Sequence, residues 1–268
     1  MFVLRYQMEF CTTATVRPEI LDRTYESFFT NLQGLSGPHT LYINIDPIPS
    51  PSGVDAVLAV CNRYFQNVVS NLPQTPSFPA AVKWCLAQPK EQEFFYLEDD
   101  WLLTSPIHID EMRRQFGIRT TVVNLRAYSI KDSRICLSPS LWKRETGHAI
   151  SKRLDTLSNP EKQLRPITGS NPGGNKHIGF YSIQFPEKIV LEDIGRPWLR
   201  DSTDMVKNLG VHFTTWAKKT DAPPAQVVPQ KPKVVIPTFQ SVNTHRQAPV
   251  VAKRIAPHPI RLKPRIER

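Results

Sequence analysis

The 268-residue sequence lacks any apolar run of the roughly eighteen residues that a membrane-spanning helix needs. Its first residues also lack the basic region, the apolar stretch and the small-residue cleavage site of a secretory signal. These two absences predict a protein of the cytoplasm that has no transmembrane segment.

Cysteine is also scarce. The four cysteines are widely separated along the chain, at Cys11, Cys61, Cys85 and Cys136. They form no CxxC pair, and each falls within an apolar segment, so neither a zinc site nor a disulfide framework is indicated. We expect all four to be small core residues of a reducing compartment.

The glycine-rich motifs that bind phosphate are absent. With 11 glycines, the sequence contains neither GxxxxGK[ST] nor GxGxxG, which argues against P-loop ATPases and Rossmann dehydrogenases. It also has no GxSxG and no HExxH, the motifs of serine hydrolases and zinc peptidases. The phosphate-binding and hydrolytic classes that these motifs identify therefore have little support.

Positive charge is abundant, but it is concentrated at one end. Residues 221–268 carry nine Lys and Arg against two acidic residues, so they supply +7 of the net charge of +10. The same segment contains nine prolines, which interrupt helices and central strands. We predict one domain over residues 1–220, followed by an extended, disordered basic tail over 221–268.

Before residue 221, strand-like and helix-like segments alternate. The predicted strands are 7–15, 40–46, 66–69, 93–97, 120–128, 135–137, 178–183, 189–191 and 211–215. The predicted helices are 18–32, 54–64, 77–87 and 196–209, with a turn and helix at 138–146 and a polar, lid-like loop at 164–176. The alternation predicts the α/β class, with a mostly parallel sheet flanked by helices.

One strand ends in three consecutive carboxylates, Glu98-Asp99-Asp100. Adjacent carboxylates repel one another unless a cation or solvent compensates them. Mg²⁺ or Mn²⁺ would suit these oxygen ligands and would also bridge a diphosphate. The alternative is a solvated acidic turn that caps the following segment.

The segment Tyr96-Leu97-Glu98-Asp99-Asp100-Trp101 resembles the acidic DxD-type motif of GT-A glycosyltransferases. The similarity covers roughly residues 8–216 and includes the opening FCTTATVRP, the strand that ends at Asp46 and the helix FPAAVKW. The segment resembles family 2-like members, including bacteriophage-encoded ones. This resemblance implies a GT-A-like fold and a metal-dependent transfer of sugar from a nucleotide-sugar donor to a hydroxyl acceptor. Glutamate at the first acidic position leaves the roles of Glu98 and Asp99 open.

Ligands of parallel sheets bind beyond the carboxyl ends of the strands. Together with the resemblance, this predicts the nucleotide-sugar ligands Thr12, Thr13, Asp46, Glu98, Asp99 and Arg196. The resemblance further implies a divalent metal, Mn²⁺ or Mg²⁺, held by Asp100, Glu98 and His212. Alternatively, His212 is a structural residue of a strand.

A second acidic pair, Glu192-Asp193, ends a later strand. Inverting members of the resembled family carry a catalytic base at this place, and we assign that role to Asp193, with Glu192 beside it. The alternative is that the pair caps the helix that starts at Ile194. A retaining mechanism would need no base here.

Three further residues have two interpretations each. Trp142 and Trp216 either face substrate or close the core, and Arg126 either contacts the diphosphate or is an ordinary solvated arginine. The acceptor is also open. The basic tail favours hydroxymethylated phage DNA, while the alternatives are a surface glycan or a non-catalytic, nucleic-acid-binding virion protein.

Overall fold

A seven-stranded sheet forms the centre of the computed structural model, which describes residues 7–48, 50–127, 136–164 and 181–195. Its strands, in spatial order, are β4 (Asn67–Asn71), β3 (Thr40–Asp46), β1 (Glu9–Thr15), β5 (Glu93–Glu98), β9 (Ser140–Lys143), β8 (Thr120–Leu125) and β10 (Tyr181–Phe185). Only β9 runs antiparallel to its neighbours. All described residues lie in a single compact unit.

Four short strands form two small additional sheets. They are β2 (Leu32–Gln33), β6 (Trp101–Leu103), β7 (Ile107–His108) and β11 (Leu191–Asp193). Strand β2 pairs with β7, and β6 pairs antiparallel with β11. The second pair lies next to the acidic triplet, because β6 begins directly after Asp100.

The described helices flank the large sheet. They are α1 (Pro18–Asn31), α2 (Val54–Tyr64), α3 (Phe78–Ala87), α4 (Ile109–Arg113), α5 (Arg144–Arg153) and α6 (Pro160–Leu164). Proline occupies the first turn of α1, where its missing N–H costs nothing. At the start of α3, the side chain of Ser77 accepts a hydrogen bond from the Ala80 N–H.

Two apolar cores lie on opposite faces of the sheet. Along β1, Phe10 joins the core that contains α1 and α2, whereas Cys11 joins the core that contains α3 and α5. This alternation is the two-residue period of a strand buried on both faces. The α/β class, with a mostly parallel sheet flanked by helices, is therefore confirmed.

Trp142 belongs to the second core. Its side chain is fully buried, its ring centroid lies 6.0 Å from that of Phe94, and its Nε1–H donates to Ser140 Oγ at 2.7 Å. Of the two interpretations of Trp142, core packing is correct.

The expectation that the cysteines are core residues is confirmed for three of the four. Cys11, Cys61 and Cys85 are buried and Cys136 is half-buried, and all four are free thiols.

No described helix is long and apolar enough to cross a membrane.

The predicted strand 40–46 and helix 54–64 are confirmed to the residue. The turn and helix predicted at 138–146 were wrong at their start, because Ser140–Lys143 is a strand inserted between β5 and β8, and the helix begins at Arg144. A four-residue strand shows too little periodicity to be recognised locally, and its pairing partners lie far away in sequence. The last described strand, predicted at 189–191, is Leu191–Asp193.

Several predictions fall outside the described residues. They are the strand at 211–215, most of the helix at 196–209, most of the loop at 164–176, and the division between the domain and the tail at 220. These remain predictions.

Candidate functional site

The carboxyl ends of three neighbouring parallel strands meet at one edge of the sheet. In the register of the sheet, Thr15 at the end of β1 lies beside Asp46 at the end of β3, and Thr13 lies beside Glu98 at the end of β5. The acidic triplet is therefore at the central position of this edge, where ligands of parallel sheets bind.

Asp99 is directed into the protein. The residue is only 4% exposed. Its Oδ2 accepts hydrogen bonds from the Thr15 N–H at 2.9 Å and from the Thr15 hydroxyl, Oγ1, at 3.3 Å. Its Oδ1 lies 2.5 Å from Arg17 Nη2. Its backbone carbonyl accepts from Thr24 Oγ1 at 2.8 Å. Asp99 therefore ties the acidic turn to β1 and to α1, and its predicted contact with a donor remains a prediction.

Arg17 is the residue that sequence reasoning missed. Its guanidinium is buried, and its Nη2 lies 2.5 Å from Asp99 Oδ1 and 3.2 Å from Asp100 Oδ2. Burial alone would lower the pKa of Arg17, but the two carboxylates raise it above its ordinary value, so this cation is permanent. Arg17 thus compensates part of the negative charge for which the sequence suggested a metal.

The local sequence gives no signal that Arg17 pairs with the acidic triplet, and the reason is physical. Arg17 directly precedes Pro18 at the start of α1, where the helix dipole disfavours a cation. Such a position gives no indication of a partner more than 80 residues away.

Asp100 faces the site. Its side chain is 25% exposed, and burial raises its pKa to about 6, with Asp99 and Asp193 adding to the increase and Arg17 opposing it. Asp100 is therefore largely ionised at neutral pH, but less firmly than an ordinary aspartate.

Glu98 is the most strongly perturbed acid of the triplet. Burial, followed by the charge of Asp100, raises the pKa of Glu98 well above its usual range. The Trp101 Nε1–H donates to Glu98 Oε2 at 2.9 Å and partly offsets that increase. Strongly shifted carboxyls at a ligand-binding edge are typical of functional sites.

The strand pair β6–β11 brings the second acidic segment to the first. Asp193 lies opposite Trp101 in the antiparallel register, and the Ile194 N–H donates to the Asp100 carbonyl at 2.9 Å. Asp193 Oδ1 accepts from the Gly195 N–H at 3.1 Å, a local contact between a side chain and the backbone two residues further along. The helix that this pair would cap continues outside the described residues, so the capping alternative remains a prediction. Glu192, which alternates to the other face of β11, is exposed.

The other predicted ligands have partners inside the protein. The Tyr25 hydroxyl donates to Thr12 Oγ1 at 3.2 Å, and Thr13 Oγ1 shares a hydrogen bond of 3.1 Å with the Tyr96 hydroxyl. Asp46 accepts from Asn44 Nδ2 at 2.8 Å and from the Ser77 N–H at 2.9 Å. Burial raises the pKa of Asp46, and its two hydrogen bonds connect the end of β3 to the start of α3.

Arg126 has a structural contact. Its Nε–H donates to the Pro186 carbonyl at 2.9 Å, and its own carbonyl accepts from the Val190 N–H at 2.9 Å. Arg126 therefore holds the segment that leads into β11, rather than being an ordinary solvated arginine. Arg196, His212 and Trp216 lie outside the described residues.

Within the described ranges, no group of three or more His, Cys, Asp or Glu side chains is arranged to hold a metal ion. Mg²⁺ at nucleotide sites commonly uses only one or two carboxylates and takes its remaining ligands from water and phosphates. Asp100, a partly exposed carboxylate with Asp193 close enough to raise its pKa, fits that mode of binding.

No family model matches this chain, and no curated protein matches it. Among solved structures, a mannosyltransferase from Pyrobaculum calidifontis in complex with GDP-Man and Mn²⁺ is similar over 69% of this chain and 56% of that chain, at 9% identity and a TM-score of 0.45. Glucosyl-3-phosphoglycerate synthase from Mycobacterium tuberculosis in complex with UDP is similar over 52% and 57%, at 12% identity and a TM-score of 0.38.

A third similar structure, HddC from Yersinia pseudotuberculosis, covers 76% of this chain and all of that chain, at 10% identity and a TM-score of 0.47. The present chain spans a little over half the length of the first two. Because all three TM-scores are below 0.5, the function proposed below rests on the residues of this chain.

Proposed function

We propose that this chain is a metal-dependent glycosyltransferase that moves a sugar from a nucleotide-sugar donor to a hydroxyl acceptor. The observation that supports this most directly is the junction of two acidic segments at the ligand-binding edge of the sheet. Strand pair β6–β11 places Asp193 beside the turn that carries Asp100. Two neighbouring carboxylates with different partners can take different roles.

The donor diphosphate would lie against the turn at residues 98–100. Asp100 would hold the divalent cation, assisted by Glu98, and when bound this cation would supply positive charge to the departing diphosphate. Arg17 and the Thr15 N–H hold the Asp99 side chain in place, so the turn retains its shape when the donor is absent. The protein thereby presents a preorganised carboxylate rather than one that must reorient.

Asp193 would accept the proton of the acceptor hydroxyl as that oxygen attacks the anomeric carbon. A carboxylate within hydrogen-bond reach of the hydroxyl is suited to this task. The hydrogen bond from the Gly195 N–H fixes the orientation of the Asp193 side chain. The role applies to an inverting reaction.

Isothermal titration with a panel of nucleoside diphosphates and nucleotide sugars, with and without Mn²⁺, tests the donor site. We expect one nucleotide to bind, and only when Mn²⁺ is present. If the folded protein binds no member of the panel under either condition, the transferase proposal is wrong and a non-catalytic role takes its place.

Asp193→Asn separates the base role from the capping role. Asparagine caps a helix about as well as aspartate but cannot accept a proton. We therefore expect unchanged stability and donor affinity, with sugar transfer slowed roughly 10²- to 10⁴-fold. Single-turnover transfer rates and urea unfolding provide the two measurements. An Asp193→Asn variant that transfers sugar at the rate of the natural chain would show that Asp193 is a cap only.

The acceptor proposal is hydroxymethylated DNA, and the distribution of charge supports it. Residues 221–268 carry +7 of the net +10, which suits contact with phosphates without base recognition. Deleting 221–268 is then expected to abolish DNA binding and to leave donor binding intact. Affinity for a hydroxymethylated duplex is measured across a salt series in both forms.

A steep loss of DNA affinity with salt, absent from the truncated form, would agree with the DNA acceptor. A neutral glycan acceptor predicts that transfer is insensitive both to salt and to the truncation. DNA binding without any donor binding would instead indicate a nucleic-acid-binding protein that lacks catalytic activity.

A further inference from the structure

Gly195 directly contacts the Asp100 side chain. A Cβ atom added to Gly195 would lie 2.1 Å from Asp100 Oδ2, 2.7 Å from Asp100 Cγ and 3.0 Å from Asp100 Cβ. These are the three nearest atoms, and all belong to the side chain of Asp100, which we assign to the donor site. The space that a side chain at position 195 would need is therefore occupied by Asp100.

Backbone conformation gives no other reason for glycine here. Among the described residues, only Gly34 and Gly37 have the positive φ angles that favour glycine. Gly195 is outside that region, so alanine would be compatible with its backbone. The close approach of Asp100 is what requires the missing side chain.

The neighbouring contacts fix how Gly195 approaches the acidic turn. The Ile194 N–H donates to the Asp100 carbonyl at 2.9 Å, while the Gly195 N–H donates to Asp193 Oδ1 at 3.1 Å. Because both hydrogen bonds hold the backbone at 194–195, that backbone cannot withdraw easily from a clash. The Asp100 side chain, which is partly exposed, is the part that would move.

We infer that Gly195 is a positioning residue for Asp100. Its bare backbone allows the carboxylate to remain beside Arg17, with Oδ2 at 3.2 Å from Nη2, and in reach of Asp193. A side chain at 195 rotates the carboxylate out of this place and leaves Asp99 and the rest of the fold unchanged. The inference rests on the proposed function, because it assigns to Gly195 the geometry of the donor site.

Gly195→Ala is the direct test. With UDP, GDP and their sugars as probes in the presence of Mn²⁺, we expect the dissociation constant of the nucleotide that binds to rise roughly 10- to 100-fold, the range seen when residues behind a metal ligand are changed. The expected phenotype is a milder form of that of an Asp100 substitution, in a protein that is still folded.

Two other glycines provide matched controls. A Cβ at Gly117 meets nothing within 4 Å, so Gly117→Ala should leave both binding and stability unchanged. A Cβ at Gly147 lies 2.8 Å from the Phe94 ring and 3.2 Å from the Leu86 carbonyl, so Gly147→Ala should lower stability without a specific loss of donor binding. The dissociation constant of the donor should rise specifically in Gly195→Ala and in neither control.

A double-mutant cycle gives a readout that needs no ligand. Asp100→Ala removes the two atoms nearest to a Cβ at 195, so Gly195→Ala should lower the urea midpoint less in the Asp100→Ala background than in the natural chain. The inference is wrong if Gly195→Ala and Asp100→Ala change the urea midpoint additively. It is also wrong if Gly195→Ala binds the donor as tightly as the natural chain does. If the natural chain binds no nucleotide, the proposed function fails, and the unfolding cycle still decides the role of Gly195.

Discussion

Replacing Asp100 by asparagine is expected to abolish Mn²⁺-dependent binding of the nucleotide donor. The substitution preserves the shape of the side chain but removes the negative charge of a partly exposed carboxylate of the acidic turn. Burial is the main reason that the pKa of Glu98 is raised, and the loss of the Asp100 charge relieves the repulsion that adds to it. The fold should therefore be retained, and isothermal titration should show no metal-dependent heat at donor concentrations that saturate the natural chain.

The pH dependence of the natural chain gives an independent measurement of the same carboxylate. Because its pKa is raised to about 6, Asp100 gains a proton and loses its charge as the pH falls through that value. We expect Mn²⁺-dependent donor affinity to be full above about pH 7 and to fall about tenfold per pH unit below pH 6. An ordinary aspartate would keep its affinity down to about pH 4.

Glu26→Gln is the control for these measurements, since it removes one carboxylate charge from an exposed position of α1. It should behave as the natural chain at every pH. Metal-dependent donor binding that survives in Asp100→Asn would remove Asp100 from the donor site and would leave Glu98 as the acid to test next.

Arg17→Met is expected to lower the free energy of unfolding by about 3–5 kcal/mol at neutral pH, the cost of removing one partner from a buried ion pair. Methionine fills much of the same volume, so the principal loss is the cation beside Asp99 and Asp100. Urea unfolding measures the change.

The chain offers a matched exposed pair as a control. Arg63 lies 2.7 Å from Asp22, but its side chain is 57% exposed, so Arg63→Met should cost at most about 1 kcal/mol. Adding Asp99→Asn to Arg17→Met should recover part of the lost stability. If Arg17→Met costs no more than Arg63→Met, then Arg17 does not hold the acidic turn together.

The three adjacent acids occupy three different environments. Asp99 is fully engaged with Arg17 and Thr15, Asp100 is partly exposed beside Asp193, and Glu98 is held by Trp101. Neighbours in sequence thus differ in their partners and in their exposure. The triplet could be located from the sequence, but the buried position of Asp99 could not, because its partners Thr15 and Arg17 lie more than 80 residues away.

The sequence by itself determined the α/β class, the elements up to residue 98 other than β2, and the location of the acidic edge. These follow from local periodicity and from the rule that parallel strands present their carboxyl ends together. The strand 40–46 and the helix 54–64 were predicted correctly because apolar residues at the appropriate spacing are sufficient to define them.

Only the tertiary structure decided which charged groups meet. Arg17 pairs with Asp99 and Asp100 from more than 80 positions away, and Asp193 reaches the same turn through the three-residue pairing of β6 with β11. Such contacts depend on the packing of whole elements, so local patterns carry no information about them. The tertiary structure likewise made Gly195 the residue whose missing side chain leaves room for Asp100.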